Sequence, residues 1–361
     1  MTHIEPFRIE VAPAAIGDLR RRLRATRWPA GVTDSGGIPL DEVRALVEYW
    51  VDGFDWEARE RAVNELPQFR AGEPGSRLHF IHLPAAAPAA PALLLLHGWP
   101  GSFVEFLDVL PRLREYHLVV PSLPGYGFSD APAAPGMSSR RIAGRMAELM
   151  TALGYERFAA QGGDWGAGVA TWLALDHADR VAGIHLNYVP LSLAPAPGTR
   201  LTEAEEAFRL DDARWVAEFG AYGALQATRP LTLAYGLTDS PAGLAAWIVE
   251  KFREWAAPTS DISIDALLTN VMVYWATASI GPSMRLYLEA ARERFPPGTR
   301  VAVPCAIARF PYEEPFPPRV QVERHFDVRR WTDMPRGGHF AAMEEPALLA
   351  DDVAAFMATL R

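Results

Sequence analysis

A chain of 361 residues, 49% hydrophobic and 22% charged, has the make-up of a folded globular protein whose core is too large for one minimal domain. Its formal net charge of −9 and pI near 5.5 argue against nucleic acid or an anionic membrane surface as the main partner. The single cysteine, Cys305, excludes an internal disulfide, and the most apolar run, ALLLL at 92 to 96, is far too short to span a bilayer.

The opening MTHIEPFRIE has no basic-then-apolar signal pattern, so the expectation is a soluble, cytoplasmic protein. No internal repeat is visible. IEPFRIEVAPAAIGDLRRRLRATRWP reads as a short strand and then a helix, with Ile16, Leu19 and Leu23 at helical spacing. DEVRALVEYWVDGFDWEARERAVNEL reads as further helices with an aromatic face. RLHFIHL at 77 to 83 is a strand, and AAAPAAPA is a loop between strands. LLLLHGW is a buried strand running into a glycine turn, and HLVVPSLPG is another buried strand. SSRRIAGRMAELMTALGY is an amphipathic helix with Ile142, Met146, Leu149 and Leu153 on one side. RFAAQGGDWG is a short strand into a tight turn, GAGVATWLALDHADRV the helix behind it, and VAGIHLNYV the next strand.

Apolar strands alternating with helices imply an α/β architecture with a mainly parallel sheet covered on both faces. From 191 to about 298 the pattern turns helical and aromatic. RVAVPCAIARF then returns as a buried strand, followed by FDVRRWTDM and a final helix around ALLADDVAAFMATL. A helical insert between two halves of a sheet is expected to cap the carboxyl edge of the strands, where ligands bind in open α/β sheets. The expected division is an N-terminal extension over 1–76, core over 77–190, helical cap over 191–298 and core again over 299–361.

The frame Gly162-x-Asp164-x-Gly166 lies between a strand and a helix. An Asp there is commonly only an N-cap. Glycines on both sides favour a second role, because this strained turn is where one class of hydrolases presents its nucleophile, usually Ser. A carboxylate attacks amides poorly but displaces at an electrophilic sp3 carbon, as in an epoxide or a haloalkane, and leaves an alkyl ester. Hydrolysis of that ester needs an oxyanion hole and an activated water. In such a frame the hole uses the N–H after the nucleophile, Trp165, and one from an earlier loop, here Trp99 in His97-Gly98-Trp99-Pro100. Pro100 cannot donate, and a cis Trp99–Pro100 bond suits so tight a loop.

Of nine histidines, His339 in RGGHF stands between the last strand pattern and the last helix, where the base belongs when the order is nucleophile, acid, histidine. The acid is expected after Phe310, in PYEEP. Position alone does not choose between Glu313 and Glu314, and Asp327 and Asp333 are weaker rivals. Ring opening of an epoxide also needs O–H donors, for which the insert offers Tyr222, Tyr235, Tyr274 and Tyr287.

HGWPGSFVEF, LPGYGFSD, GGDWG, LLTNVMVYW, FPYEEP and RGGHFAAMEEP, in this order, resemble the epoxide hydrolases of the α/β-hydrolase fold, in their microsomal and juvenile-hormone branch. PFRIEVAPAAIGDLRRRLRATRWP is similar to that branch's N-terminal extension, which wraps around the core. The resemblance spans nearly the whole chain. It implies Asp164 as nucleophile, His339 as water-activating base and Glu313 as the acid holding it, through the pattern FPxE. It also implies Tyr222 and Tyr287 as the tyrosines that polarise the epoxide, Trp99 and Trp165 as oxyanion donors, and Trp99, Trp165 and Tyr274 as substrate contacts. No cofactor and no metal are implied, and the partners are a hydrophobic epoxide and water; a homo-oligomer is left open. Membrane-bound members carry an N-terminal hydrophobic anchor, whereas this opening has no such run, as in soluble bacterial relatives.

A haloalkane dehalogenase shares the fold, the Asp and the following Trp, but needs N–H donors for halide where an epoxide needs O–H donors. Tyr222 and Tyr287 therefore favour the epoxide. A non-catalytic binding protein of the same fold is disfavoured by the presence of nucleophile, acid and base together.

Overall fold

The computed structural model describes residues 3–31 and 36–360. Its centre is a nine-stranded sheet built from β1 (Ile4–Phe7), β2 (Gln68–Ala71), β3 (Leu78–Leu83), β4 (Ala92–Leu96), β5 (His117–Pro121), β6 (Phe158–Gly162), β7 (Val181–Leu186), β8 (Val301–Arg309) and β9 (Phe326–Asp333). The order across the sheet is β1-β2-β3-β5-β4-β6-β7-β8-β9. From β5 to β9 all neighbours are parallel, while β1, β2 and β3 add antiparallel at one edge. Strands β4, β5 and β6 are buried at every position, which is why they read as mainly apolar runs without alternation.

Helices Ser139–Ala152 and Asp164–Asp176 pack beside each other against the sheet, and Pro346–Thr359 also packs against β8. The chain visits β5 on one side of β4 and then crosses to β6 on the other. That reversal opens a crevice at the carboxyl ends of β4 and β6, the place where a doubly wound sheet receives ligands.

Two features were not read from the sequence. β2 is short and carries Arg70, and it is a strand because β1 and β3 pair on its two sides. A helix at Arg319–His325 also separates β8 from β9. Between β7 and β8 lie six helices among the described residues: Glu203–Phe219, Ala221–Thr228, Pro230–Asp239, Pro241–Trp255, Ile264–Thr277 and Ile280–Ala290. Local chemistry sets their starts. Thr202 and Glu205 form a reciprocal capping box, Ser240 and Ser263 cap with their hydroxyls, and Pro230 and Pro241 occupy first turns.

The N-terminal segment does two jobs. β1 extends the sheet edge, and helices Pro13–Arg24, Leu40–Asp52 and Trp56–Val63 pack on the helices between β7 and β8. Arg59 pairs with Asp265, Tyr49 donates to the same carboxylate at 2.8 Å, and Arg253 meets Glu42 at 3.1 Å. No helix among the described residues is long and apolar enough to cross a membrane.

Candidate active site

Asp164 stands at the end of β6 as the first residue of its helix, with φ of +46°. A non-glycine residue in this left-handed region costs about 1–2 kcal/mol, and here the surroundings hold it there. The helix packs hard against β4. A Cβ on Gly166 would come within 2.1 Å of the Leu96 carbonyl oxygen, so only glycine lets the two backbones meet. Gly98 is likewise pressed on Asp164, whose Oδ1 would lie 2.2 Å from an added Cβ.

The loop after β4 aims one donor at the carboxylate. Trp99 N–H donates to Asp164 Oδ1 at 2.7 Å, and the Trp165 N–H also bonds the carboxylate. The Trp99–Pro100 bond is cis. His97 explains the aim. Its Nε2 accepts from the Leu123 N–H at 3.1 Å, so Nδ1 carries the proton and donates to the Gly98 carbonyl at 2.9 Å. The C=O and N–H of one trans peptide point in opposite directions, so anchoring the Gly98 carbonyl turns the Trp99 N–H toward Asp164. Burial pushes His97 down to about 4, which keeps it neutral in this post. Helix Ile264–Thr277 fixes the rest of the loop: Asn270 donates to the Pro100 carbonyl at 2.8 Å and accepts from Ser102 at 2.8 Å.

His339 follows β9. Its Nδ1 lies 2.9 Å from Glu313 Oε2 and its Nε2 lies 3.8 Å from Asp164 Oδ2. Glu313 is buried, whereas Glu314 is exposed, Asp327 pairs with Arg329 and Asp333 pairs with Arg309. Of the two neighbouring glutamates, Glu313 is the one whose carboxylate meets His339.

Burial opposes charge on His339, but the carboxylates of Glu313, Asp164 and Glu105 outweigh it and raise its pKa to about 9. Burial raises Asp164 above the ordinary carboxylate value, opposed by the His339 charge and the Trp99 and Trp165 N–H groups. At neutral pH His339 is therefore held as the imidazolium beside Asp164.

Tyr222 and Tyr287 enter from helices Ala221–Thr228 and Ile280–Ala290, their rings 5.9 Å apart, with the two hydroxyls hydrogen-bonded to each other. Tyr222 stacks on Trp99 at 5.5 Å and Tyr287 stands edge-on to Trp165 at 4.8 Å. Burial raises the pKa of both phenols, so they stay protonated. The Tyr274 hydroxyl donates to the Gly101 carbonyl at 2.6 Å, so it braces the loop after β4. Tyr235 is 72% exposed and lies outside the group.

The comparisons can now be set beside this geometry. A family model described as "Epoxide hydrolase N terminus" matches residues 4–106, and one described as "alpha/beta hydrolase fold" matches 91–278. A putative epoxide hydrolase of Stigmatella aurantiaca is 41% identical, over 97% of this chain and 84% of that one. The chain belongs to the epoxide hydrolase family. Juvenile hormone epoxide hydrolase 1 of Ctenocephalides felis is 33% identical, over 97% of this chain and 84% of its own. The structure of the Aspergillus niger epoxide hydrolase superposes with a TM-score of 0.90 at 30% identity, covering 99% of this chain and 97% of that one. The fold is that of the α/β-hydrolases.

Several residues of this epoxide hydrolase site were missed in the sequence. Trp255, at the end of Pro241–Trp255, accepts the His339 N–H on its carbonyl at 3.0 Å and sets its ring 5.1 Å from both His339 and Tyr222. Tyr188, just after β7, stands edge-on to His339 at 6.1 Å. Glu344 accepts from Ala257 N–H at 2.7 Å and Phe340 N–H at 3.0 Å, tying the histidine loop to the Trp255 helix. Each looks like an ordinary helix or loop residue in one dimension. Only Glu344 carried a signal, inside RGGHFAAMEEP. No group of three or more His, Cys, Asp or Glu among the described residues is arranged to hold a metal ion.

Proposed function

We propose that this enzyme opens hydrophobic epoxides through a covalent ester on Asp164, which water activated by His339 then hydrolyses to a diol. The observation that carries the reading is the convergence on one carboxylate of the Trp99 N–H at 2.7 Å and of His339, itself held by Glu313, at 3.8 Å. Asp164 attacks one ring carbon from the back, the C–O bond breaks, and the oxygen takes a proton from the Tyr222–Tyr287 pair. The proton is restored from the His339 imidazolium, directly or through solvent.

This sequence times the base. Asp164 is one of the carboxylates that keep His339 charged in the resting enzyme. Once Asp164 is an ester that support is gone, and the imidazole gives up its proton when a base is needed. Neutral His339 then takes a proton from water, hydroxide adds to the ester carbonyl, and the Trp99 and Trp165 N–H groups hold the oxyanion. Collapse expels the diol oxygen, which takes the new carboxyl proton, and Asp164 and charged His339 are regenerated.

The aromatic wall of Trp99, Trp165, Trp255, Tyr188, Tyr222 and Tyr287 favours an aryl or alkyl epoxide over a polar one. The division 1–76, 77–190, 191–298 and 299–361 follows from the same reading, with the third segment as a cap that carries both tyrosines.

The test is a single turnover in 18O-water with Asp164→Ala as control. Label is expected first in Asp164 and in the diol only on later turnovers, with no diol from Asp164→Ala. Label entering the diol directly on the first turnover overturns the covalent route. The tyrosines are read separately. Tyr222→Phe and Tyr287→Phe are each expected to slow ring opening about 10- to 100-fold, and the double variant about 1000-fold or more, in single-turnover kinetics. Ring opening that survives the double change assigns the proton to another group.

A further inference from the structure

Lys251 is the only lysine in the chain; the other long cationic side chains are all arginine. It does not lie on the surface. Its side chain, on helix Pro241–Trp255, is 5% exposed, and no step described above uses it. A buried ammonium is costly unless paired, and here Glu250 Oε2 meets Nζ at 2.5 Å and Glu254 Oε2 at 3.1 Å. The same Nζ stands over the Tyr222 ring, 4.9 Å from its centroid, and over the Trp255 ring at 5.8 Å. Lys251 and Trp255 are four residues apart, so they share one face of the helix.

Ion pairing alone does not account for this place. The carboxylates of Glu250 and Glu254 keep 20% and 26% of their exposure, so a cation could meet them in solvent. The charge is instead drawn inward, onto a ring whose hydroxyl belongs to the donor pair. Tyr222 is fixed by its neighbours: it lies parallel to Trp99 within 8°, and its hydroxyl is bonded to Tyr287. A cation over an aromatic face is held by the ring's negative face, more strongly where water is excluded. It also draws electron density from the ring, which makes a phenol a better proton donor. A compact ammonium suits this crowded position better than a wide planar guanidinium. Glu254 acts on the Tyr222 phenol in the opposite sense, but water screens its carboxylate and does not reach the ammonium to the same degree.

Resting on the tyrosine reading above, we propose that Lys251 is a positioning residue for ring opening: its ammonium holds the Tyr222 ring against Trp99 and polarises it, so that Tyr222 is the member of the pair that releases its proton to the epoxide oxygen. As the ring C–O bond breaks, the Tyr222 O–H bond breaks with it. The proton passes to the former ring oxygen, and the electron pair stays on the Tyr222 oxygen. The Tyr287 hydroxyl bonds that oxygen, and Lys251 offsets its charge through the ring until the proton is restored. The hydrogen bond with Tyr287 works in the same direction, since it lowers the Tyr222 pKa against the effect of burial. Ester hydrolysis runs on His339 and the two backbone N–H groups, so it does not draw on Lys251.

The test resolves ring opening and ester hydrolysis by rapid quench and intact mass, with styrene oxide as the probe. Lys251→Met removes the charge and keeps most of the stem. It is expected to slow ring opening about 10- to 30-fold, with ester hydrolysis within about 3-fold of wild type. In a Tyr222→Phe background, which keeps the ring under residue 251 but has no O–H, the same change is expected to alter ring opening less than about 2-fold. Glu254→Gln takes away an opposing charge, so ring opening should be unchanged or faster. Should Lys251→Met fail to fold, Lys251→Met/Glu254→Gln takes its place in the cycle. Equal slowing of both steps, no slowing of ring opening, a loss that persists in Tyr222→Phe, or a Glu254→Gln as slow as Lys251→Met assigns Lys251 to the fold alone and overturns the proposal. Because the chain has one lysine, 13C-lysine labelling gives a single set of side-chain resonances. The ε-CH2 is expected upfield of free lysine from the ring currents of Tyr222 and Trp255, and a signal at the free position overturns the contact itself. Tyr222→Phe alone separates the two readings: unchanged ring opening removes the tyrosine reading, whereas slow ring opening there with an unaffected Lys251→Met removes only the role of Lys251.

Discussion

His339→Gln is expected to form the Asp164 ester and then stall. Intact mass should rise by the whole mass of the epoxide, and steady-state turnover should fall about 1000-fold or more. Gln fills much of the imidazole's space and can still meet Glu313, at 2.9 Å from His339 in the native site, but it cannot take a proton from water. The nucleophile, both N–H donors and both tyrosines are untouched, so ring opening should proceed. The measurement belongs near pH 8. Without the imidazolium, Asp164 loses the group that most opposes the effect of its burial, and its pKa rises further, so a higher pH keeps it ionised. The mass increment is diagnostic: addition of the full epoxide identifies ring opening, while an alkyl group without its halogen would mark a displaced halide. A folded variant with unchanged mass after exposure to a panel of aryl and alkyl epoxides sinks the ester route.

Gly166→Ala is expected to destabilise the protein by about 3 kcal/mol or more, read as a lower urea midpoint at unchanged slope. The new methyl would sit 2.1 Å from the Leu96 oxygen, 2.7 Å from its carbon and 3.0 Å from the His97 oxygen. These are backbone atoms at the end of β4, so no rotamer change relieves the clash. The helix must back away from the strand, and Asp164 moves relative to the Trp99 N–H. Activity per folded molecule should therefore fall about 100-fold, because displacements near 1 Å are costly at a reacting centre. Gly144→Ala is the control. A Cβ there meets nothing within 4 Å and lies in the interior of Ser139–Ala152, so the variant should be as stable as wild type or more so by up to about 1 kcal/mol. Equal stability of both variants would mean that the approach of helix and strand at Gly166 carries no constraint.

The site was unevenly legible in the sequence, and the reason is local. Asp164 and His339 sit in glycine-framed turns that follow strands, so the chain around each one announces a special conformation. Trp99 was legible for the same reason. Trp255 and Tyr188 have no such frame. Their places depend on which helix face or loop meets the crevice. The hydrogen bond of Tyr274 to the Gly101 carbonyl was not legible either, because it joins residues 173 positions apart. Glu313 and Glu314 are neighbours, and one is buried against His339 while the other faces solvent. That difference is set by the path of the loop across the sheet edge, not by the dipeptide.

The strand periodicity, the two glycine-framed turns and the chain order of nucleophile, acid and histidine were determined by the sequence alone, because each rests on contacts a few residues long. β2, the reversal between β5 and β6, and the joining of the Trp99 loop, Asp164 and His339 across 65 and 175 positions were decided only in the tertiary structure. Such contacts form when whole apolar faces are buried together. Their energy belongs to the packed sheet and its covering helices rather than to any one stretch of chain.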